Sequence, residues 1–433
     1  LLTDRNAIIS PQLLHPETIS FMSATFHTDW REDKMAISYP STGTPEPVPK
    51  NLRPASTSDD LVLIPANDLE YVQTWHLNAG EWRGPLSLEQ YLRRERTLQT
   101  IDLTKDGRIT AWILTSDKLP RALDGSRAIL ASCETLLKHA YIAKDGKVQE
   151  ILAHGIGSVY CRPEYRGSGY AGRMMVELGK AMETWQQPNG TKGTFSVLYS
   201  DIGVKFYSQR GWKVFPSTHI HLMPADRSTH ATIKTRANLP DVEDLTVNDL
   251  SNIPMIDQLK RELVDMSKLK PATPHVAIRP DMPHVQWHIA REEIQARELG
   301  VSQGTPLVKG AIHKLTGTAL LWSRVYASKE AENQLHILRT VVDPTRKATE
   351  PDIQSALASL LLRAQFEASE WNMQNGVEVW SPSDAVVTAA QSLHEGKKIE
   401  VISRDKEHVC SLKWVGGDDE DVVWVANEKY AWC

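Results

Sequence analysis

Apolar positions along the chain recur with helical or strand spacing in two long stretches, 61–222 and 250–393. Leu61-Val62-Leu63-Ile64 is a short apolar run ended by Pro65, the pattern of a strand. Residues 68–81 carry apolar side chains at helical intervals. Ser87-Leu88-Glu89-Gln90 has the form of a capping box and predicts a helix running to about residue 98. Strand-like runs follow at 109–115, 129–143 and 148–160, and Asp145-Gly146 predicts a tight hairpin between the last two. A glycine-dense loop then leads into a helix over 170–186. The strand 194–199, a short helix 201–210 and a strand from Gly211 to residue 222 complete the stretch.

Beyond a polar stretch at 224–241 the pattern resumes. Helices are expected at 250–269 and 285–299, strands at 317–327 and 334–342, a helix at 353–375, a strand at 377–380 and a helix at 383–393, with further strands after it. This order repeats that of 61–222 although residue identities do not, which predicts a diverged internal duplication. An unrelated α/β domain is the alternative. The segment 39–54 holds five prolines and reads as an extended arm, because proline fixes φ and removes a backbone donor. The expected divisions are a proline-rich arm at 1–58, a first lobe at 59–223, a linker at 224–241 and a second lobe at 242–433.

The 433 residues carry 49 Lys and Arg against 54 Asp and Glu, a net charge of −5. That balance argues against a nucleic-acid binder, which needs a cationic face to displace counterions. No apolar stretch of about 20 residues occurs, so no membrane span is expected. The arm lacks the composition of a targeting segment. The four cysteines, Cys133, Cys161, Cys410 and Cys433, form no C-x-x-C pair, which fits a reducing, cytoplasmic compartment and neither a disulfide framework nor a cysteine metal site. His284 and His288 share a helical face, but Val285 stands where a zincin needs Glu, so no metal is expected. Oligomeric state is not legible.

The chemistry concentrates in VYCRPEYRGSGYAGRM, residues 159–174. Gly167, Ser168, Gly169 and Gly172 let the backbone turn and aim N–H groups outward at a helix start, an arrangement that binds phosphate oxygens. Arg166 adds a cation. Gly167-x-Gly169-x-x-Gly172 matches the dinucleotide fingerprint, but that reading needs an acidic residue about 20 positions on. Positions 190–192 are Gly-Thr-Lys, and the loop follows an antiparallel meander.

Arg166-x-x-Gly169-x-Ala171 resembles the acetyl-CoA loop of the GNAT acetyltransferases, and Phe206-Tyr207-Ser208-Gln209-Arg210-Gly211-Trp212 resembles their second signature, F-Y-x-x-x-G-F. The resemblance implies an α/β (α+β) GNAT fold, a mixed and mostly antiparallel sheet flanked by helices, with a second, diverged GNAT-like lobe. It implies acetyl-CoA as co-substrate, held by Val159, Tyr160, Cys161, Arg166, Gly167, Ser168, Gly169, Tyr170, Ala171 and Phe206. The strand before the loop is expected to splay from its neighbour, and a backbone N–H near Val159 or Tyr160 to polarise the acetyl carbonyl. Tyr207 stands at the family's usual proton donor to the leaving thiolate. In the second lobe the equivalent loop reads TRKATEPDI and has no glycine, so no acetyl-CoA is expected there.

The base is less legible. Eleven residues before Arg166, where many family members place Glu or His, stands Gly155. His154 is adjacent, but strand alternation points it away. Glu134 or Glu150 through water is a further possibility. Bacterial tandem GNAT enzymes of the aminoglycoside-modifying type use their terminal carboxylate, which makes that of Cys433 a candidate. Asn78, Trp82 and Arg83, with Trp75, are expected to wall the acceptor.

The strings ILASCETLLKHA, HGIGSVYCRPEYRGSGYAGRMMVELGKAMETW and FSVLYSDIGVKFYSQRGW resemble the fungal lysine N6-acetyltransferase family over most of 60–433. That resemblance implies acetylation of the side-chain amine of free L-lysine, in lysine catabolism. Acetylation of another amine (polyamine, aminoglycoside or protein lysine) and a non-catalytic acetyl-CoA-binding role stay open.

Overall fold

The structure, a computed structural model, describes residues 43–186, 193–301, 304–395, 397–415 and 421–432. The described residues fall within one compact unit built on two sheets.

The first sheet grows from local hairpins. Strand β1 (Val62–Pro65) pairs antiparallel with β2 (Ile109–Thr115), and between them lie α1 (Asp68–Trp82) and α2 (Leu88–Leu98). Both helices start on the reciprocal side-chain and backbone bonds of a capping box, Asn67 with Glu70 and Ser87 with Gln90. Strands β3 (Ala131–Lys144) and β4 (Lys147–Tyr160) form a long hairpin. Its turn is Asp145-Gly146 at φ 48° and 72°, the left-handed geometry a two-residue hairpin requires. Helix α3 (Tyr170–Ala181) carries the chain across, and β5 (Gly193–Ser200) returns parallel to β4. Helix α4 (Lys205–Ser208) and strand β6 (Lys213–Val214) follow.

Strand β7 (Thr218–Leu222), expected in the first lobe, lies instead in the second sheet. The polar stretch expected as a linker holds α5 (Arg227–Arg236), capped by the Asp226 side chain on the Thr229 N–H. Its high polarity reflects a helix on the surface, with no buried residues. Next come β8 (Glu243–Leu245), α6 (Met255–Leu269), β9 (His275–Ile278), α7 (Met282–Glu298), β10 (Gly310–His313), β11 (Thr318–Val325) and β12 (Gln334–Val342). The chain ends with α8 (Glu350–Glu370), β13 (Val377–Trp380), α9 (Asp384–Leu393), β14 (Ile402–Ser403), β15 (Val409–Trp414) and β16 (Val423–Trp424). The second sheet runs β14-β7-β13-β12-β11-β10-β8.

The exchange is mutual. Strand β15 sits between β5 and β6 of the first sheet, and the single strand expected from Gly211 to residue 222 is split into β6 there and β7 in the other sheet. Strand β9 pairs with the far half of β3, Ala140–Ala143, and β16 pairs with β9. One apolar cluster accordingly mixes Ala153, Phe195 and Val197 with Val276, Ile278, Leu338 and Leu412. The two lobes are interlocked by strands as well as packed, so they share a core.

The last part of the arm is folded too. Val48 is 6% exposed and packs in the core around α3. Arg162 Nη1 donates to the Pro45 carbonyl at 2.6 Å, and the Tyr170 hydroxyl to the Pro54 carbonyl at 2.6 Å. Arg173 reaches the Ser56 and Ser58 carbonyls. The strap is extended up to Pro49 and then turns in a 3-10 helix at Lys50–Leu52, and side chains from the lobe supply the donors its carbonyls need.

Candidate functional site

Strands β4 and β5 pair from Leu152 and Gly193 to Ile156 and Leu198, and no further. Beyond that point β4 continues to Tyr160 and β5 to Ser200 without a shared ladder. A bulge in β4 drives the divergence. Its register against β3 shifts between Ser132 and Glu134, and Ser158 takes φ 51°. An extra residue on one strand bends it and increases its twist. The expected splay is present, and a cavity of about 770 Å³ opens from it. Gly157, Ser158, Val159, Tyr160 and Cys161 line it, so backbone groups on the β5 side of β4 face open space.

The glycine loop lies at the cavity mouth. A 3-10 turn over Pro163–Tyr165 is followed by Gly167 at φ 79° and Gly169 at φ 86°. Gly169 is the N-cap of α3, with no side chain closing the helix start. The first-turn N–H groups and the positive end of the helix therefore remain for an anion. A Cβ on Gly169 would fall 2.6 Å from Ser56 Oγ, and one on Gly172 2.6 Å from Arg210 Nη2. Arg166 donates to the Cys161 carbonyl at 3.2 Å and pairs with Glu81 at 2.9 Å, tying the loop to α1. Arg166 and Ala171 line the cavity itself. Gly167, Ser168, Gly169 and Tyr170 do not, and stand along the loop outside it. The Tyr170 ring is buried under the arm, so only its backbone is available to a ligand.

Phe206 and Tyr207 of α4 line the opposite wall. Tyr207 is 7% exposed. Burial first, and then the neighbouring Cys133 thiol and the Asp201 carboxylate, pushes its phenol above the usual range, so it keeps its proton at neutral pH.

On the acceptor side the expectations divide. Trp82 lines the cavity with its ring edge-on to Tyr160, and buried Trp75 contributes as well. Asn78 does not. It is buried 13 residues from Tyr91 in sequence, whose hydroxyl donates to its side chain at 2.8 Å. Arg83 is exposed at the end of α1, outside the lining. Helical rotation separates them: Asn78 faces the α1–α2 contact and Arg83 faces outward.

His154 is 1% exposed, lies outside the lining, and is held near pKa 4 by burial. Alternation along β4 sends it to the α3 side, toward Gln186, so it is not placed to act as a base. Glu150 is exposed and also outside the lining. Cys433 lies outside the described residues, although Trp432 before it lines the cavity. Glu134 does face the cavity. It accepts the Ser158 hydroxyl at 2.5 Å, and the polar groups of Tyr71 and Trp75 lie toward it. Burial, then the Glu95 charge, raises its pKa. Arg94, Glu95, Trp287 and Arg291 also line the cavity and were not anticipated. The last two come from α7, and no sequence signal ties that helix to the first lobe.

The corresponding place in the second sheet is filled. Strands β12 and β13 pair in parallel only over Leu335–Ile337, and the C-terminal segment packs where β12 runs on alone. There Glu428 accepts the Thr340 N–H and pairs with Arg339 at 2.5 Å. Helix α8 is closed by its own capping box, Thr349 with Asp352. Among the described residues at that place, neither a wedge nor an open start of α8 is left for a nucleotide.

A family profile described as the LYC1 GNAT-like C-terminal domain matches residues 219–433. That match begins inside β7, where the chain enters the second sheet. An uncharacterized protein of Saccharomyces cerevisiae is 23% identical over 411 residues, 87% of this chain and 99% of its own. A protein named lysine acetyltransferase from Yarrowia lipolytica is 31% identical over 146 residues, 30% of this chain and 35% of its own length. Among solved structures, a GCN5-related N-acetyltransferase from Kribbella flavida superposes with a TM-score of 0.45 at 14% identity, covering 83% of this chain and 72% of its own. The chain has a GNAT-type acetyltransferase fold, two mixed sheets flanked by helices, with a GNAT-like C-terminal lobe.

Proposed function

We propose that this chain is an acetyl-CoA-dependent N-acetyltransferase acting on the side-chain amine of a free amino acid, L-lysine foremost, in lysine breakdown in the cytoplasm. The observation that carries the reading is that the β4–β5 wedge, the loop residues Arg166 and Ala171, Tyr207 and Glu134 all face one cavity. The partial likeness to a relative named lysine acetyltransferase supports the choice of amine.

The residues fit the co-substrate. The open start of α3 and the backbone of Gly167–Gly169 suit a pyrophosphate, and the unpaired edge of β4 suits the amide-bearing arm. Acetyl-CoA supplies the acyl group as a thioester. Glu134 then has the task of taking a proton from the acceptor ammonium, whose ordinary pKa of about 10.4 leaves it unreactive. A carboxylate raised by burial is a better base than an exposed one. The amine nitrogen forms the new bond to the acyl carbon as the carbon–sulfur bond breaks, and its second proton passes to solvent. Tyr207 gives its proton to the departing sulfur and is restored from solvent. Backbone N–H groups at the bulge face the developing oxyanion.

The test is a thiol-release assay with acetyl-CoA against L-lysine, a polyamine, an aminoglycoside and a lysine-containing peptide. L-Lysine is expected to give the highest kcat/KM. No thiol release above background with any amine would overturn the reading.

A further inference from the structure

Two arginines in the cavity wall lack their full complement of partners. Arg94 of α2 is 3% exposed; its Nε and Nη2 bond Glu95 and the Trp82 carbonyl. Its Nη1 is buried with no partner among the described residues. Arg291 of α7 has no hydrogen bond or ion pair among the described residues, and its guanidinium lies 5.5 Å from the centre of the Trp432 ring. Each faces the cavity, and each feels the other's charge: burial first, then Arg94, weakens the hold of Arg291 on its proton.

The acids of α7 do not answer Arg291. Glu292 bonds Lys309 at 2.9 Å and Arg324 at 3.0 Å, Glu293 pairs with Lys309, and Glu298 pairs with Arg93. Glu95 bonds Arg94 and acts on Arg291 as well, yet among the described residues the Nη1 of Arg94 and the guanidinium of Arg291 keep donors with no partner on the cavity wall. An unsatisfied cationic donor is costly, and a ligand that accepts from it removes that cost. Such donors match a carboxylate, which a guanidinium grips through two parallel hydrogen bonds.

We infer that Arg291 and Arg94 form the subsite in the acceptor half of the cavity that holds the carboxylate of the amino-acid substrate. This rests on the proposed acetyl transfer and assigns its choice of substrate to two residues. Glu134 lines the same cavity and is left for the amine. The GNAT-like second lobe then has a direct part in specificity, because α7 supplies Arg291.

The experiment compares L-lysine with L-lysinamide, which keeps both amines and loses only the carboxylate charge. In the wild-type protein kcat/KM is expected to favour L-lysine by at least about 10²-fold, as for a site built around a polar group its competitor lacks. Arg291→Met keeps the length of the side chain and should collapse that ratio toward unity, with coenzyme A affinity by calorimetry retained. Equal turnover of both amines by the wild type would overturn the subsite while leaving acetyl transfer intact. So would an equal loss on both amines in Arg291→Met, or a loss of coenzyme A binding. If no amine is acetylated, acetyl transfer falls, and calorimetric titration of L-lysine still decides the subsite. Binding that Arg291→Met weakens supports it; no binding, or unchanged binding, overturns it.

Discussion

Lys138 occupies the space that a side chain on Gly155 would fill. A Cβ on Gly155 would lie 2.5 Å from Lys138 Cε, and the Lys138 ammonium donates to the Ala431 carbonyl at 2.9 Å. The space beside Gly155, where many members of the resembled family carry Glu or His, is thus committed to holding the C-terminal segment against the first sheet. Lys138 is 1% exposed, and the C-terminal segment supplies an acceptor for its buried ammonium. Lys138→Ala is expected to leave the Ala431 carbonyl without this donor and to cost about 1–3 kcal/mol of unfolding free energy. Trp432 should lose its place in the cavity wall with it. Denaturant unfolding and the KM for L-lysine check both effects, and unchanged values would show that the contact is incidental.

Glu134→Gln separates catalysis from stability. As the base, Glu134 must be ionised, and its pKa lies above the usual carboxylate value because of burial and then Glu95. Wild-type kcat should therefore fall as pH drops through that raised pKa. The variant should lose on the order of 10²–10⁴-fold in kcat and the acid limb of its pH profile. Stability has the opposite sign. A carboxyl with a raised folded-state pKa favours the fold at low pH and opposes it once ionised, so Gln at 134 should stabilise the protein at neutral pH. A pH–rate profile and thermal unfolding at two pH values test the pair of outcomes.

Much of this was legible in the sequence, for local reasons. The Asp145-Gly146 hairpin, the Ser87 capping box and the glycine loop each follow from a few adjacent residues, and each stands in the structure where the pattern put it. The exchange of β7 and β15 was not legible, because Thr218–Leu222 and Val409–Trp414 are short mixtures of apolar and polar residues that suit either sheet. Short strands state that they are buried but not which partner buries them. Arg291 and Trp287 escaped for the same reason: α7 shows a helical pattern, and only tertiary packing brings it to the cavity. Asn78 and Arg83 were drawn in by sequence proximity to Trp82, which helical rotation does not respect.

Gly169 is constrained twice, by φ 86° and by Ser56 Oγ at 2.6 Å from any added Cβ. Gly167 at φ 79° has open space around its own Cβ position. Gly169→Val should abolish coenzyme A binding, because it strains the start of α3 and displaces the arm. Gly167→Ala should weaken it less, and Arg166→Ala less than Gly169→Val, since the backbone donors remain. Calorimetry with coenzyme A sets the order, and unchanged affinity in Gly169→Val would move the pyrophosphate elsewhere.

Tyr207→Phe removes a proton that is needed only as the thiol leaves. The ring stays, so packing with Phe206, whose centroid is 4.9 Å away, is kept. kcat should drop on the order of 10²–10⁴-fold while the Kd for acetyl-CoA changes little, the signature of an interaction made in the transition state alone. The pH profile adds a second constraint. Because burial raises the phenol above its ordinary range, the wild type should keep its acid through alkaline pH and show no falling limb from Tyr207 near 10. A falling limb near 10 that disappears in Tyr207→Phe would mean the phenol is solvated in the working enzyme. Wild-type turnover in the variant would remove Tyr207 from the proton path and leave water to protonate the thiolate.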